Sequence, residues 1–188
     1  YLIPARGGSK RLSGKNLRKL AGIPLVAWAI RRAQGAARLV GGESRIVVST
    51  DSEEIAAVSR EWGAEVVMRP AEYATDEASS GGVLYHALQE LGFPVRLVLV
   101  QPTSPLALAS DVAAAAKLSL TKAGPGAVYA YSERSDDGPN GAAYVYNTER
   151  GHPMTASDMG TIMPESRTID IDTEDDWHMA EALLAARP

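Results

Sequence analysis

Cysteine is absent, phenylalanine occurs once, and there are only three histidines. The first absence excludes disulfides and thiolate metal centres and suits a reducing, cytoplasmic setting. His86, His152 and His178 are scattered and form neither a metal-ligand spacing nor a triad pattern. No apolar run approaches the length that crosses a bilayer, so no membrane partner is expected. Basic charge is not in excess either: 19 Lys and Arg stand against 23 Asp and Glu, a formal net charge of −4. A general nucleic-acid binder would carry a basic footprint, so nucleic acid is not an expected partner. Internal repeats and low-complexity stretches are missing. What is there is an ordinary apolar fraction over 188 residues, enough for one domain, 1–188, with a sizeable core. The chain opens directly on a strand-like segment, Tyr1 to Ile3, so its true start is expected further upstream, where any leader would stand.

Basic residues are few overall but concentrated early. The stretch from Pro4 to Leu17, PARGGSKRLSGKNL, holds three glycines together with Arg6, Lys10, Arg11 and Lys15. Glycines let a backbone approach a ligand and turn its amides inward, and the cations add positive charge. The stretch reads either as a polyphosphate cradle or as a solvated basic loop. It is not a Walker A loop, because Gly8 to Gly14 is one residue too long and Asn16 replaces the hydroxyl after Lys15.

Apolar runs and turn residues alternate along the rest of the chain. Pro24 opens a helix over PLVAWAIRRAQ, in which Leu25, Trp28, Ala29 and Arg32 follow helical spacing. Arg45 to Ser49 reads as a strand. Asp51 or Ser52 caps the next helix, and Gly63 ends it. Glu65 to Met68 is a third strand, and a helix follows from about Ala78 to Leu91. Arg96 to Val100 is apolar on both faces and is therefore read as central and parallel. Ser110-Asp111 starts a helix that runs to near Gly124. Ala127–Tyr131 and Ala142–Tyr146 are strands, and Ile169–Ile171 is read as a short one. Thr173 caps a final helix, with Asp176 in the capping-box position. Repeated strand, loop, helix implies an α/β sandwich with a mainly parallel central sheet. Ligands then bind beyond the carboxyl ends of the strands, where the loops 5–16, 69–80, 101–105 and 170–172 collect.

Candidate chemistry lies in those loops. Asp170 and Asp172 flank Ile171, and in a strand they would share a face. Their repulsion is relieved by a divalent cation, for which oxygen ligands completed by water and phosphate suit Mg²⁺. The alternative is an acidic run favouring a helix N-terminus. Arg69 ends a strand at the same edge. Ser79 and Ser80 are either helix caps or ribose contacts. Gln101 follows the central strand directly. Asn140-Gly141 is, on sequence alone, better read as a hairpin turn.

Taken together, IPARGGSKRLSGKNL (3–17), RIVVSTDSEEIA (45–56), VVMRPAEYATDEASS (66–80), LVLVQPTSPL (97–106), PNGAAYVYN (139–147) and SRTIDIDTEDDW (166–177) resemble the acylneuraminate cytidylyltransferases. That family includes enzymes that activate legionaminic and pseudaminic acids. The resemblance implies a Rossmann-like three-layer sandwich of the nucleotide-diphospho-sugar transferase type. It implies transfer of CMP from CTP to an acidic nine-carbon 2-keto sugar, with Mg²⁺ and release of pyrophosphate, in a cytoplasmic homodimer. By motif, Arg6, Ser9 and Lys15 would hold the triphosphate, Asn16 the nucleotide, Arg69 the cytosine and Ser80 the ribose side. Gln101 would face the sugar, Asn140 would sit on the sugar side, and Asp170 and Asp172 would bind the metal. Arg6, Lys15, Asp170 and Asp172 are the expected catalytic set.

This chain departs from the family before Asn140. Relatives carry a longer segment there, with a dimer-forming arm and basic residues for the sugar carboxylate. Here only SERSDDGP intervenes. A dimerisation segment missing from or deleted in this sequence, between about 132 and 140, is the expectation. The Kdo-activating enzymes are less similar, because they carry an acidic residue where this chain has Thr103-Ser104. The alternative readings are a cytidylyltransferase for another sugar acid of the Kdo type and a non-catalytic nucleotide-binding homologue.

Overall fold

Strands with apolar residues on both faces can only be satisfied between two layers of helices, and the chain builds that arrangement. The structure is a computed structural model that describes residues 1–74, 80–92, 96–121, 126–132, 139–147 and 160–187, with backbone alone for 80, 126–132, 139, 141 and 147. In chain order the elements are β1 (Leu2–Pro4), β2 (Lys19–Leu20), β3 (Ile23–Pro24), α1 (Leu25–Val40), β4 (Val47–Thr50), α2 (Glu53–Glu61) and β5 (Glu65–Met68). There follow α3 (Ser80–Glu90), β6 (Arg96–Leu99), α4 (Ala109–Leu120), β7 (Gly126–Ser132), β8 (Pro139–Asn147), β9 (Gly160–Met163) and α5 (Glu174–Ala185). Among the described residues no helix is long and apolar enough to cross a membrane.

Seven strands form one sheet in the order β5-β4-β1-β6-β8-β7-β9, and β2 and β3 form a separate small hairpin. Only β8 runs against its neighbours β6 and β7; the other pairings in the large sheet are parallel. The expected mainly parallel sheet is therefore what the chain forms. Strand periodicity sorts the core: Ile3, Val48 and Val98 enter the cluster shared with α1, α2 and α4, whereas Leu2, Val47 and Leu97 enter the one shared with α3. A third cluster lies outside the sheet. Leu12 and Leu20, both from the basic loop region, meet Leu25, Ile171, Trp177 and Ala180 there. That cluster docks α5 beneath the loop.

Several local expectations hold. Ser52 caps α2 by accepting from the Ile55 amide at 3.3 Å, and Gly63 ends that helix with a φ of +79°. Thr173 and Asp176 form a reciprocal capping box on α5. Others are corrected. Ile169–Ile171 is not a strand. It pairs through one backbone bond, Ile171 N–H to Thr103 O at 2.8 Å, because it meets the loop beyond the end of β6, whose two sides β1 and β8 already occupy. Asn140 lies inside β8 and not in a turn, since the pairing of Tyr131 with Pro139 carries the ladder past it. Residues 133–138, where a dimerisation segment was expected to be missing, lie outside the described residues.

α1 also runs on through Gly35 to Val40 instead of ending near Gln34. Gly35 is there for packing: a Cβ at this position would stand 2.7 Å from the Ala109 Cβ of α4. Helix propensity alone favours alanine over glycine by about 1 kcal/mol. Overpacking against a fixed methyl costs about 1–3 kcal/mol. Gly35→Ala is therefore expected to lower the urea midpoint of unfolding, and a higher midpoint would show that α1 and α4 can part without loss.

Candidate active site

In the sheet order, β4 and β5 lie to one side of β1 and β6 to the other. The loops that leave β1 and β6 therefore diverge, and a crevice opens between them at the carboxyl edge of the sheet. A cleft of ≈ 670 Å³ occupies this point, with Pro4 and Leu99 in its floor. Arg6, Ser9, Lys15, Asn16, Arg69, Gln101, Asp170 and Asp172 all line it. Of the candidate residues, Asn140 does not. It stands at the start of β8, at the same edge, with its amide against Met163 Sδ at 3.4 Å. The side chain of Ser80 lies outside the described residues, and so does Ser79.

The loop after β1 is shaped by contacts at its base. The Gly7 amide donates to Asp51 Oδ1 at 2.9 Å, and a Cβ on Gly7 would approach Ser52 Cβ to 3.1 Å. The Ser9 amide donates to Gly7 O at 3.2 Å. These two amides are thus engaged within the protein, so of the loop's three glycines Gly7 does not turn its amide toward a ligand. The positive character of the cleft comes from side chains: among the described residues Arg6, Lys10, Arg11, Lys15 and Arg69 line it with two carboxylates. Gly14, at φ +64°, makes the turn that precedes Lys15. Leu17 and Arg18 amides close that turn on Gly14 O at 2.9 and 3.0 Å.

Two candidates are tied to the scaffold. Asn16 is buried and donates from Nδ2 to Arg6 O at 2.9 Å, so it holds the backbone of the basic loop at Arg6. Arg69 is buried too, with Nη2 on Ser49 O at 2.8 Å and Nη1 on Tyr73 O at 3.3 Å. Burial lowers its pKa, with Asp51 opposing. It closes one end of the cleft and joins β4 to the turn at Ala71–Tyr73.

The acidic side is built by an extended segment that keeps strand-like alternation without a ladder. Ile171 is fully buried while Asp170 and Asp172 face outward. Asp172 is held by Lys15 Nζ at 3.1 Å and Arg11 Nη1 at 2.7 Å. Lys15 also donates to Ile171 O at 2.6 Å. The Arg11–Asp172 pair is solvent-exposed and contributes little to stability, so it can exchange readily for another cation or anion. Asp170 is accessible from the cleft, yet desolvation by the cleft walls pushes its pKa up, a hydrogen bond with Thr103 opposes this, and the neighbouring Asp172 charge adds to it. An ionised Asp170 is thus short of positive charge. Oxygen-only donors on adjacent carboxylates, with no third acid or histidine joining them among the described residues, fit a hard divalent cation completed by water and phosphate.

Sequence reasoning missed Asp51, Thr103 and Arg32, which line or brace this site. Asp51 and Thr103 follow strand ends, which is the available signal for them. Arg32 gave none, because its helical spacing reads as ordinary face periodicity. It is 5% exposed, and its guanidinium donates to Gln101 O at 2.6 Å and to Ser104 O. Burial lowers its pKa to about 10, with the Asp111 charge opposing; it remains charged at neutral pH.

Comparison with known proteins agrees with this architecture. The chain is 38% identical over 120 residues to N-acylneuraminate cytidylyltransferase of Escherichia coli, covering 64% of this chain and 28% of that protein. It is 42% identical over 113 residues to CMP-N,N'-diacetyllegionaminic acid synthase of Legionella pneumophila, covering 55% of this chain and 45% of that protein. The chain thus spans less than half the length of either relative. Among solved structures, a CMP:2-keto-3-deoxy-manno-octonic acid synthetase complexed with CTP superposes with a TM-score of 0.72 at 15% identity, covering 98% of this chain and 97% of that one. At that identity the likeness concerns the fold. The family model for cytidylyltransferases matches residues 1–131, well over half the sequence, and the chain belongs to the cytidylyltransferase family.

Proposed function

We propose that this chain is the core of an enzyme that joins CMP from CTP to the anomeric hydroxyl of a nine-carbon 2-keto sugar acid of the sialic acid type, with release of pyrophosphate. The observation that carries the reading is the meeting of a basic loop and a carboxylate pair in one cleft at the sheet's switch point. The names of the curated relatives support the sugar class.

In this reading Arg6, Ser9 and Lys15 bind the triphosphate, and Asn16 sets Arg6 through its carbonyl. Arg69 bounds the cytosine end and Ser80 the ribose side. Gln101 faces the sugar, with Asn140 at the outer end of the same edge. The hydroxyl oxygen attacks the α-phosphorus as the bond from that phosphorus to the β-phosphate oxygen breaks. Phosphoryl-type transfer requires in-line positioning and charge neutralisation more than covalent help. Arg6 and Lys15 stabilise the charge that grows on the departing pyrophosphate. Among the described residues no histidine or glutamate lines the cleft, and in this reading the hydroxyl proton passes to solvent. Asp170 and Asp172 would hold a divalent cation, Mg²⁺ in this reading, which supplies Lewis-acid polarisation and charge neutralisation at phosphate. A homodimer and a cytoplasmic setting belong to the same reading and rest on the family resemblance.

The direct test is CTP-dependent pyrophosphate release across sialic, legionaminic, pseudaminic and Kdo substrates. Turnover is expected with one or more of the nine-carbon acids and not with Kdo. CTP binding without turnover on the whole panel would mark a non-catalytic homologue. Asp172→Asn is expected to lower turnover by roughly 100-fold or more while CTP affinity stays within a few-fold; near-wild-type turnover at saturating Mg²⁺ would refute the cation role.

Asp170 also makes a pH-dependent prediction. Its pKa in the folded protein lies above the ordinary 3.8, so folding favours the protonated form. The stability this carboxyl contributes is fully present below the unfolded pKa and is lost as pH rises through the folded one. In cation-free protein, Asp170→Asn should therefore raise Tm at neutral pH, and the gain should vanish well below the ordinary carboxylate range. A Tm that falls at neutral pH would contradict this account of the site.

A further inference from the structure

Arg32 does not line the cleft, yet it holds the loop on which two parts of the cleft depend. That loop, Gln101 to Pro105, leaves β6 and contains two prolines, so it has few amides with which to fix itself. Its own closing bond, Ser104 N–H to Gln101 O, is long at 3.5 Å. Arg32 supplies the short contacts. One guanidinium nitrogen takes Gln101 O and another takes Ser104 O, so a planar fork spans the turn from the helix side. On the cleft side the same turn holds the acidic segment. Thr103 O accepts the Ile171 amide at 2.8 Å, which fixes the residue between Asp170 and Asp172.

We propose that Arg32 is a positioning residue that fixes Gln101 and the Asp170–Asp172 pair relative to each other by clamping the turn between them. The inference rests on the cation and sugar roles given to those residues above. A helix face that needed only core filling would carry leucine or methionine here. Burying a guanidinium is costly, and fixed geometry is what offsets it. Its nearest charge partner, Asp111, is itself engaged by the Leu108 amide at 2.8 Å and by Arg167 at 2.7 Å. Arg32 therefore adds little as an ion pair, and its two carbonyl contacts are its distinctive contribution.

The test compares Arg32→Met, Arg32→Lys and Asp170→Asn with the unaltered chain. Three quantities are read: Mn²⁺ affinity by electron paramagnetic resonance without nucleotide, CTP affinity by calorimetry, and KM for the best sugar acid from the substrate panel. Arg32→Met fills the volume and removes the clamp. It is expected to weaken Mn²⁺ binding and raise the sugar KM by about tenfold each, the scale seen when an outer-shell partner of a ligand is lost. CTP affinity should change less than about twofold, because the basic loop meets this turn at one remove, through Ile171, whose carbonyl takes Lys15 and whose amide donates to Thr103 O. Arg32→Lys, whose single ammonium cannot span both carbonyls as the fork does, should fall between. If Arg32→Met does not fold, Arg32→Lys alone carries the test through the same split. Unchanged Mn²⁺ affinity and sugar KM in the Arg32 variants, or an equal loss of all three bindings, would overturn the proposal. If Asp170→Asn binds Mn²⁺ as the unaltered chain does, or if that chain binds none, the cation reading fails and this inference falls with it. An Mn²⁺ response to Asp170→Asn but not to Arg32→Met defeats the clamp alone.

Discussion

The ammonium of Lys15 ties one of the chain's first loops to the segment before its last helix. It meets Ile171 O at 2.6 Å and Asp172 at 3.1 Å, across more than 150 residues of sequence. Neighbouring contacts share the work. Arg18 pairs with Glu174 at 2.6 Å and lies 4.2 Å from the Trp177 ring centroid. Leu12 and Leu20 bury against Ile171 and Trp177. Apolar burial supplies the stability of this joint, since exposed ion pairs add little. The charges supply its register: they place a cation-rich loop and two carboxylates at one edge of the sheet.

That arrangement lets an acidic protein present a basic cleft. The net charge is −4, while among the described residues five cations against two carboxylates line the crevice. The ion pairs there are poised for exchange. In the proposed reading a triphosphate would compete for Lys15 and Arg11, and the carboxylate it released would become available to a divalent cation. Desolvation raises the pKa of Asp170, and among the described residues no salt bridge is made to it. In the proposed reading, stability is given up at this carboxylate in favour of binding.

How much of this was legible in the sequence depends on the range of the interactions involved. β1, β4 and β6 could be read because both faces of each are apolar, and α5 because Thr173 and Asp176 form a local capping box. Local chemistry also located the basic loop, although not the engagement of its amides by Asp51 and Gly7, which needs β4 beside β1. The strand β9, GTIM, is short and is defined by pairing with β7, so nothing in its own residues announced it. Asn140 carried a turn dipeptide that long-range pairing overrode. Asp170 and Asp172 were placed correctly on one side of the chain for a partly wrong reason, since alternation survives without a strand. Arg32 was hidden by its own regular spacing, because helical periodicity cannot distinguish a residue that fills a core from one that grips a loop.

The most direct measurement is a crystal structure of the chain with CTP and Mn²⁺, read by the anomalous signal of the metal. The account predicts manganese on Asp170 and Asp172, the triphosphate against Arg6, Ser9 and Lys15, and Lys15 drawn from Asp172 toward phosphate. Manganese bound elsewhere, or a triphosphate lying away from the loop while Lys15 still holds Asp172, would contradict it.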